Sequence, residues 1–231
     1  MSVALITGGS RGLGRALTLA LAGRGWSVIV DGRDRQALDA VAAQLPDAVS
    51  AVRGDVADAD HREALVRAVQ ERGAIDLLVN NASELGASPL PQLDAMPLAV
   101  LQRVLSVNVL APMSLTQQLL PLMRDGAAVV NISSDASVEA YAGWGGYGAS
   151  KAALDQLTAV FAAEHPELRW YAFDPGDMRT AMHQAAYPGE DISDRPEPET
   201  VVPALLRLLD ERPPSGRYRK EQLLAPASTT Q

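Results

Sequence analysis

The chain has 231 residues, of which 47% are hydrophobic and 21% charged, and a net charge of −8; this suits one α/β domain with a sizeable core and excludes global disorder. An acidic balance of that size disfavours nucleic acid as a partner, since such binding rests on neutralising phosphates with Lys and Arg. There is no cysteine, and the histidines are only His61, His165 and His183, so disulfides, thiolate nucleophiles and cysteine zinc sites are excluded and no metal site is expected.

Short apolar runs alternate with longer amphipathic stretches along the chain. Residues 3–7 read as a buried strand, followed by a Gly-rich turn and a helix from Leu13 that stops near Gly23 and Gly25. A strand at 28–30, a helix at 37–45 and a short strand at 51–52 come next. A helix at 59–72 has Asp58 as its N-cap, and a strand occupies 75–80. A looser stretch with Pro89, Pro91 and Pro97 precedes a long helix at 98–123. A strand at 127–132, a helix at 147–164, a strand at 168–173, a helix at 201–209 and a last short strand at 216–219 complete the pattern. Strands of four to six residues between helices predict βαβ units, a parallel sheet and right-handed crossovers. Residues 177–199, rich in Pro, Gly and acids, are expected to form a mobile lid within a single domain spanning 1–231, and the tail from about 226 is expected to fray. The start of the chain shows no basic leader or cleavage pattern, and no apolar stretch reaches the ~20 residues that span a bilayer. The expectation is a cytoplasmic protein with no membrane partner.

Thr7-Gly8-Gly9-Ser10-Arg11-Gly12-Leu13-Gly14 sits between the first strand and the first helix. Gly8 allows a tight turn, Gly12 a close backbone approach to a pyrophosphate, and Gly14 close packing of helix on sheet. The helix N-terminus then offers free N–H groups and a partial positive charge to a diphosphate. An ordinary Gly-rich turn has the same composition; the position between strand and helix is what favours the nucleotide reading.

Tyr147 and Lys151 are four apart on one helical face. A free phenol, with a pKa of about 10, is a poor base at neutral pH. A neighbouring ammonium favours the phenolate and brings the group toward proton transfer on a carbonyl or alcohol oxygen. A surface Tyr–Lys pair has the same spacing. Ser134 follows the strand at 127–132, at the strand end where open parallel sheets bind ligands, and its hydroxyl can donate to a substrate oxygen; Ser133 and Ser137 suit a turn or capping role equally well. Asn108 lies inside the long helix with Pro112, which implies either a simple kink or a freed carbonyl that holds water near Lys151.

Taken in order, the glycine turn, Asp55-Val56, Asn80-Asn81-Ala82, Asn108, Ser134, Tyr147-x-x-x-Lys151 and Pro175-Gly176-Asp177-Met178-Arg179-Thr180 resemble the short-chain dehydrogenase/reductase family over nearly the whole chain. The resemblance implies a Rossmann-type doubly wound seven-stranded parallel sheet in the order 3-2-1-4-5-6-7. It implies hydride transfer between a nicotinamide cofactor and a small-molecule carbonyl/alcohol pair. Tyr147 is then the acid/base, and Lys151 binds the nicotinamide ribose and lowers the phenol pKa. Ser134, selected over Ser133 by the family spacing to the tyrosine, orients the substrate oxygen, and Asn108 supports a proton relay. Gly8, Ser10, Arg11, Gly12, Leu13 and Gly14 hold the diphosphate; Asp55, Val56 and Asn81 hold the adenosine side; and Pro175, Gly176, Met178 and Thr180 hold the nicotinamide end. A homodimer or homotetramer follows by the same resemblance. The chain departs from the family in carrying Ser83 after Asn-Asn-Ala and in lacking the usual C-terminal ending, which leaves the last strand in doubt. Epimerisation or dehydration on the same fold, and a nucleotide-sensing protein without catalysis, are the alternatives; the intact Asn-Ser-Tyr-Lys set argues against them.

NADP(H) is expected in preference to NAD(H). The position where NAD enzymes of the family place an acid is Gly32, and Arg33 follows it, suited to a bidentate phosphate contact with Arg11 on the other side. Asp31 is the counter-evidence, although strand alternation points it to the face opposite Gly32. Glu84, Asp135, Glu139, Trp144, Met178, Met182, His183 and Tyr187 are expected at the substrate mouth, where the acids would favour a cationic or polyhydroxylated substrate.

Overall fold

Seven of the apolar runs form strands of one parallel sheet. In the computed structural model, which describes residues 1–225, these are β1 (Val3–Ile6), β2 (Ser27–Gly32), β3 (Val49–Arg53), β4 (Ile75–Asn80), β5 (Met123–Ile132), β6 (Arg169–Asp174) and β7 (Gly216–Arg219). Their order is β3-β2-β1-β4-β5-β6-β7, as the family resemblance implies. Each neighbouring pair is parallel, with Ala4 opposite both Val28 and Leu77, for example. The C-terminal strand that the sequence left in doubt is present and pairs with β6.

Helices cover both faces, so the central strands are buried on both sides and read as continuous apolar runs, whereas the edge strands β3 and β7 are partly exposed. Ala4 and Ile6 of β1 point to one face, where they pack with α1 (Gly12–Gly23), α2 (Arg35–Ala42) and α8 (Val202–Glu211). Val3 and Leu5 point to the other, where Leu65 and Val69 of α3 (Ala59–Gln70) and Leu115 and Leu119 of α5 (Ala111–Leu119) meet them. The remaining helices are α4 (Leu98–Leu105), α6 (Gly145–Glu164), α7 (Ala181–Ala186) and α9 (Lys220–Leu224).

Three differences from the sequence expectation have local causes. The long helix is broken into α4, a π-helical turn at Ser106–Leu110, α5 and a 3₁₀ turn at Leu120–Leu122. The widened turn contains Asn108, and Pro112 begins α5 where its missing N–H costs little. This run, Leu98–Leu122, is also long and apolar enough on length and composition to cross a membrane. Its apolar side chains Leu115 and Leu119 are nevertheless fully buried against the sheet. Second, β5 starts four residues early, through the exposed Arg124 and Asp125. Third, the segment at 177–199 carries α7, whose N-terminus is capped by the Thr180 hydroxyl on the His183 N–H. A hydrogen bond of 2.8 Å from Arg179 N–H to the Pro196 carbonyl closes that segment on itself. The expected frayed tail lies outside the described residues.

Candidate active site

A cleft of about 1130 Å³ runs along the C-terminal ends of the strands, lined by Gly8, Gly32, Asp55, Asn81, Ser134 and Asp174 among others. In an open α/β sheet this is where the reversal of strand order leaves a crevice for ligands.

At one end lies the glycine turn. Gly8 has φ of +67°, a left-handed conformation that disfavours any side chain. A Cβ on Gly14 would stand 2.4 Å from the Gly8 carbonyl oxygen and 2.5 Å from Asn81 Nδ2, so only glycine lets α1 reach the turn. Asn81 is spent on fixing that turn: its Nδ2 donates to the Thr7 carbonyl at 2.8 Å, and its backbone N–H donates to the Thr7 hydroxyl at 3.0 Å. Asp31 holds the turn from beneath. Its Oδ1 accepts from Gly8 N–H at 2.6 Å, and its Oδ2 is 2.9 Å from His61 Nε2, with both side chains buried. The helices α2, α3 and α7 each have a side chain capping the N-terminus, whereas α1 has none. α4, α5, α6 and α8 lack such a cap too, but the first residues of α1, Gly12 and Leu13, line the cleft, where a diphosphate would meet an uncapped helix N-terminus. A Cβ on Gly12 would lie 3.5 Å from Thr180 Cγ2, which brings the turn and the Pro175–Thr180 stretch to opposite walls of one groove. These features fit a dinucleotide.

The end of the cleft beside β2 and β3 is charged. Arg33 Nη1 is 2.6 Å from Glu84 Oε1, and Arg103 of α4 donates to Glu84 Oε2 at 2.8 Å and to Asp55 Oδ2 at 2.6 Å. Burial pushes the Asp55 and Glu84 carboxyls up, but this is outweighed. The Ala57 N–H and Arg103 hold Asp55 below the usual carboxylate range, and Arg103 with Arg33 does the same for Glu84. Gly32 presents no side chain, and a Cβ there would meet Ser10 Oγ at 2.8 Å. Val56 is buried beside Val107 and Ala111. Arg11 pairs with Asp34.

At the other end α6 delivers Tyr147 and Lys151 from its first two turns. The helix comes close to the Ser134 loop because Gly148 has no Cβ, which would sit 2.6 Å from the Ala136 carbonyl oxygen. Ser134 caps the short 3₁₀ turn Asp135–Ser137, accepting from Ala136 N–H at 3.2 Å and donating to Asp135 Oδ1 at 3.0 Å. Lys151 is buried; its Nζ donates to the Ile132 carbonyl at 2.8 Å and stands 5.4 Å from the centroid of the Tyr147 ring. The Asn108 amide is fully engaged: Oδ1 accepts from Ser83 Oγ and Glu84 N–H, and Nδ2 donates to the Glu84 carbonyl and Ser150 Oγ. Ser150 donates in turn to the Tyr147 carbonyl at 2.6 Å.

The proton chemistry differs from the expectation. Burial is the largest influence on the Tyr147 phenol and pushes its pKa up. The nearby Ser83 and Ser134 hydroxyls pull it down, and the Asp174 and Asp135 carboxylates raise it again. The expected depression by Lys151 is therefore not seen in this state. Lys151 is itself desolvated, which lowers its pKa to about 8 against the pull of Asp155. Two charges that burial disfavours do not form together without a further charge nearby.

The residues expected at the mouth separate into two groups. Trp144, Met182 and Tyr187 gather around Tyr147 with Leu85, Leu90 and Ala186. The acids are spoken for: Glu84 by Arg33 and Arg103, and Asp135 by Ser134, Ala136 N–H and the Tyr141 hydroxyl, which also donates to Glu139. Met178 joins the core cluster on the α1 face while also lining the cleft. Sequence reasoning missed Arg103, because its partners are distant in the chain. It also missed Arg217 of β7, whose Nη2 donates to the Ser134 carbonyl and to the buried Asp174, both at 2.9 Å, while its Nε reaches Asp155 at 3.1 Å. Only an arginine at the final strand hinted at this brace behind the serine. Among the described residues, no three His, Cys, Asp or Glu side chains gather in a way that could hold a metal ion.

Residues 2–191 match the family model for short chain dehydrogenases. The uncharacterized oxidoreductase YciK of Escherichia coli K12 is 32% identical over 219 residues, covering 90% of this chain and 86% of its own. A short chain dehydrogenase of Shigella flexneri solved with NADP superposes with a TM-score of 0.89 at 30% identity, covering 95% of this chain and 97% of its own. One of Escherichia coli CFT073 solved with NADPH gives 0.87 at 30% identity, covering 95% and 96%. The sheet order, the glycine turn and these matches agree: the chain belongs to the short-chain dehydrogenase/reductase family of oxidoreductases.

Proposed function

We propose that the protein reduces a small-molecule carbonyl to an alcohol with NADPH, with Tyr147 as the proton donor. The observation that carries this reading is the convergence of Tyr147, Ser134, Lys151 and Asn108 at one end of a cleft whose other end is the glycine turn. The NADP and NADPH complexes of two similar structures support the choice of cofactor. Gly8, Ser10, Arg11, Gly12, Leu13 and Gly14 would hold its diphosphate, Asp55, Val56 and Arg33 its adenosine phosphate end, and Pro175, Gly176, Met178 and Thr180 its nicotinamide end. When bound, it supplies the hydride.

Tyr147 enters the reaction as a neutral phenol, the form that its burial favours. It gives that proton to the substrate oxygen as negative charge develops there. The Ser134 hydroxyl, turned to Asp135 in the resting site, swings its hydrogen bond to the same oxygen. Lys151, protonated below about pH 8, stabilises the phenolate that remains. Asn108 keeps the backbone at Tyr147 in place through Ser150.

Consumption of NADPH with a panel of carbonyl compounds tests the reading. Tyr147→Phe should abolish turnover while the cofactor still binds, as followed by nicotinamide fluorescence. A variant that keeps more than a few per cent of the rate refutes the assignment.

A further inference from the structure

The reacting end of the cleft has a chemistry of its own, and the inference below rests on the carbonyl-reductase reading. Three segments build an aromatic and apolar cage over Tyr147: the loop after β4 with Leu85, the turn before α6 with Trp144, and α7 with Met182 and Tyr187. Trp144 meets Tyr147 edge-to-face at 5.6 Å between ring centroids, and Tyr187 lies 6.1 Å from Trp144. His183, which also lines the cleft, is 5.0 Å from Tyr187 with its ring tilted by 40°. Its side chain is 10% exposed, and its Nε2 is buried without a hydrogen-bond partner, a cost that a ligand group can relieve.

Asp135 is tied to its own loop by hydrogen bonds from Ser134, the Ala136 N–H and Tyr141, which fix the carboxylate in place and leave its charge, so a cationic ketone is the necessary control for the proposal below. On the α7 side Arg179 pairs with Glu197, and Arg195 is bonded to Asp194, so an anionic substrate meets no spare guanidinium from that segment. Trp144, Tyr147, Tyr187 and His183 already contact one another at centroid spacings of 5.0–6.1 Å, and another planar ring laid against this cluster gains from stacking and edge contacts beyond its buried area.

We propose that the substrate is a neutral, planar aromatic ketone or aldehyde, with its ring seated against Trp144 and Tyr187 and a hydrogen-bonding ring substituent meeting His183. The reaction balances as a hydride to the carbonyl carbon and the Tyr147 proton to its oxygen. Of the acids expected at the mouth, Glu84 turns its carboxylate to Arg33 and Arg103, whereas Asp135 stays beside Ser134.

The test compares acetophenone with cyclohexyl methyl ketone, its ring-saturated analogue, and with an aliphatic ketone bearing a trimethylammonium group, all with NADPH. Acetophenone should have a kcat/KM at least about tenfold above the other two. Trp144→Ala and Tyr187→Ala should each lower it roughly threefold to tenfold, as expected for loss of an aromatic pair. The KM for NADPH should hold, and Trp144→Phe should recover most of the loss. 4′-Hydroxyacetophenone should gain over acetophenone in the wild type and lose that gain in His183→Phe. In parallel, binding of 1-phenylethanol to Tyr147→Phe with NADP is followed by tryptophan fluorescence, which needs no turnover. Equal or better use of the saturated or cationic ketone overturns the proposal while leaving the reductase reading intact. If no carbonyl is turned over, the reductase reading fails, and the aromatic cage stands or falls on whether 1-phenylethanol binds more tightly than 1-cyclohexylethanol.

Discussion

Replacing Arg33 by alanine should shift cofactor choice from NADPH toward NADH. The guanidinium is 64% exposed at the edge of the cleft, bonded to Glu84 at 2.6 Å and next to a Gly32 that presents no acid to the ribose. Asp31, the other acid in reach, is bound to Gly8 N–H and His61 beneath the turn. A charge-assisted hydrogen bond from Arg33 to a 2′-phosphate is worth about 1.5–3 kcal/mol. Drawing Arg33 away from Glu84 costs something, but exposed ion pairs are worth only about 0–1 kcal/mol, and Glu84 keeps Arg103 as a partner. The net is about 0.5–3 kcal/mol, so Arg33→Ala should lower the NADPH/NADH ratio of kcat/KM by roughly 2- to 150-fold. Glu84→Gln acts in the opposite sense, freeing Arg33 and raising the ratio by up to about fivefold. The assay is the two kcat/KM values on one substrate at fixed ionic strength, because exposed charges are screened. A wild-type preference for NADH, or an Arg33→Ala ratio equal to wild type, refutes the reasoning.

Other expectations follow from the same geometry. Lys151 has a folded pKa of about 8 against an ordinary 10.5, so the unfolded chain binds more protons between those values and stability rises with pH across that window, by roughly 3 kcal/mol at most. Tyr147, raised above 10, opposes this only at higher pH; urea midpoints from pH 7.5 to 10 should show the rise in wild type and lose it in Lys151→Met, and an undiminished rise in the variant contradicts the assignment. Gly14→Ala places a methyl 2.4 Å from the Gly8 carbonyl oxygen and should abolish nucleotide binding at a cost of about 1–3 kcal/mol in stability, read by calorimetry and thermal melts. Leu98 and Leu110 are 74% and 56% exposed on the helical run from α4 to α5, so sedimentation at micromolar concentration should show a dimer or tetramer; a monomer alone rules this out.

The alternation of strands and helices was legible because the central strands are apolar runs buried on both faces, while the order of the strands came from the family resemblance. The π-helical turn was not. It depends on an Asn108 amide whose four partners are Ser83, Glu84 twice and Ser150, and Ser150 lies 42 residues away. The early start of β5 was hidden for a different reason: Arg124 and Asp125 are exposed at the strand's open end, where polarity says nothing about backbone pairing. That Tyr147, Lys151, Ser134 and Asn108, the proposed catalytic set, would come together was readable from order and spacing. The balance of forces on them was not, since the cage that desolvates Tyr147 is assembled from three separate segments.

Glu84 shows how sequence proximity misleads about charge. It follows Asn81, Ala82 and Ser83, and so belongs by sequence with the substrate mouth. Its backbone does sit there, bonded to Asn108. Its carboxylate instead bridges Arg33 and Arg103 at the adenosine end. That placement removes an acid from beside Tyr147, where it would raise the phenol further, and sets it among cations that hold it ionised. The cleft is thereby divided: a charged end, where Arg33 and Arg103 share carboxylates and a phosphate can enter by exchange, and an apolar end, where Trp144 and Tyr187 exclude water from the phenol. In the proposed reaction, proton transfer would benefit from the second and nucleotide selection from the first. One residue, with its backbone at one end and its carboxylate at the other, connects the two.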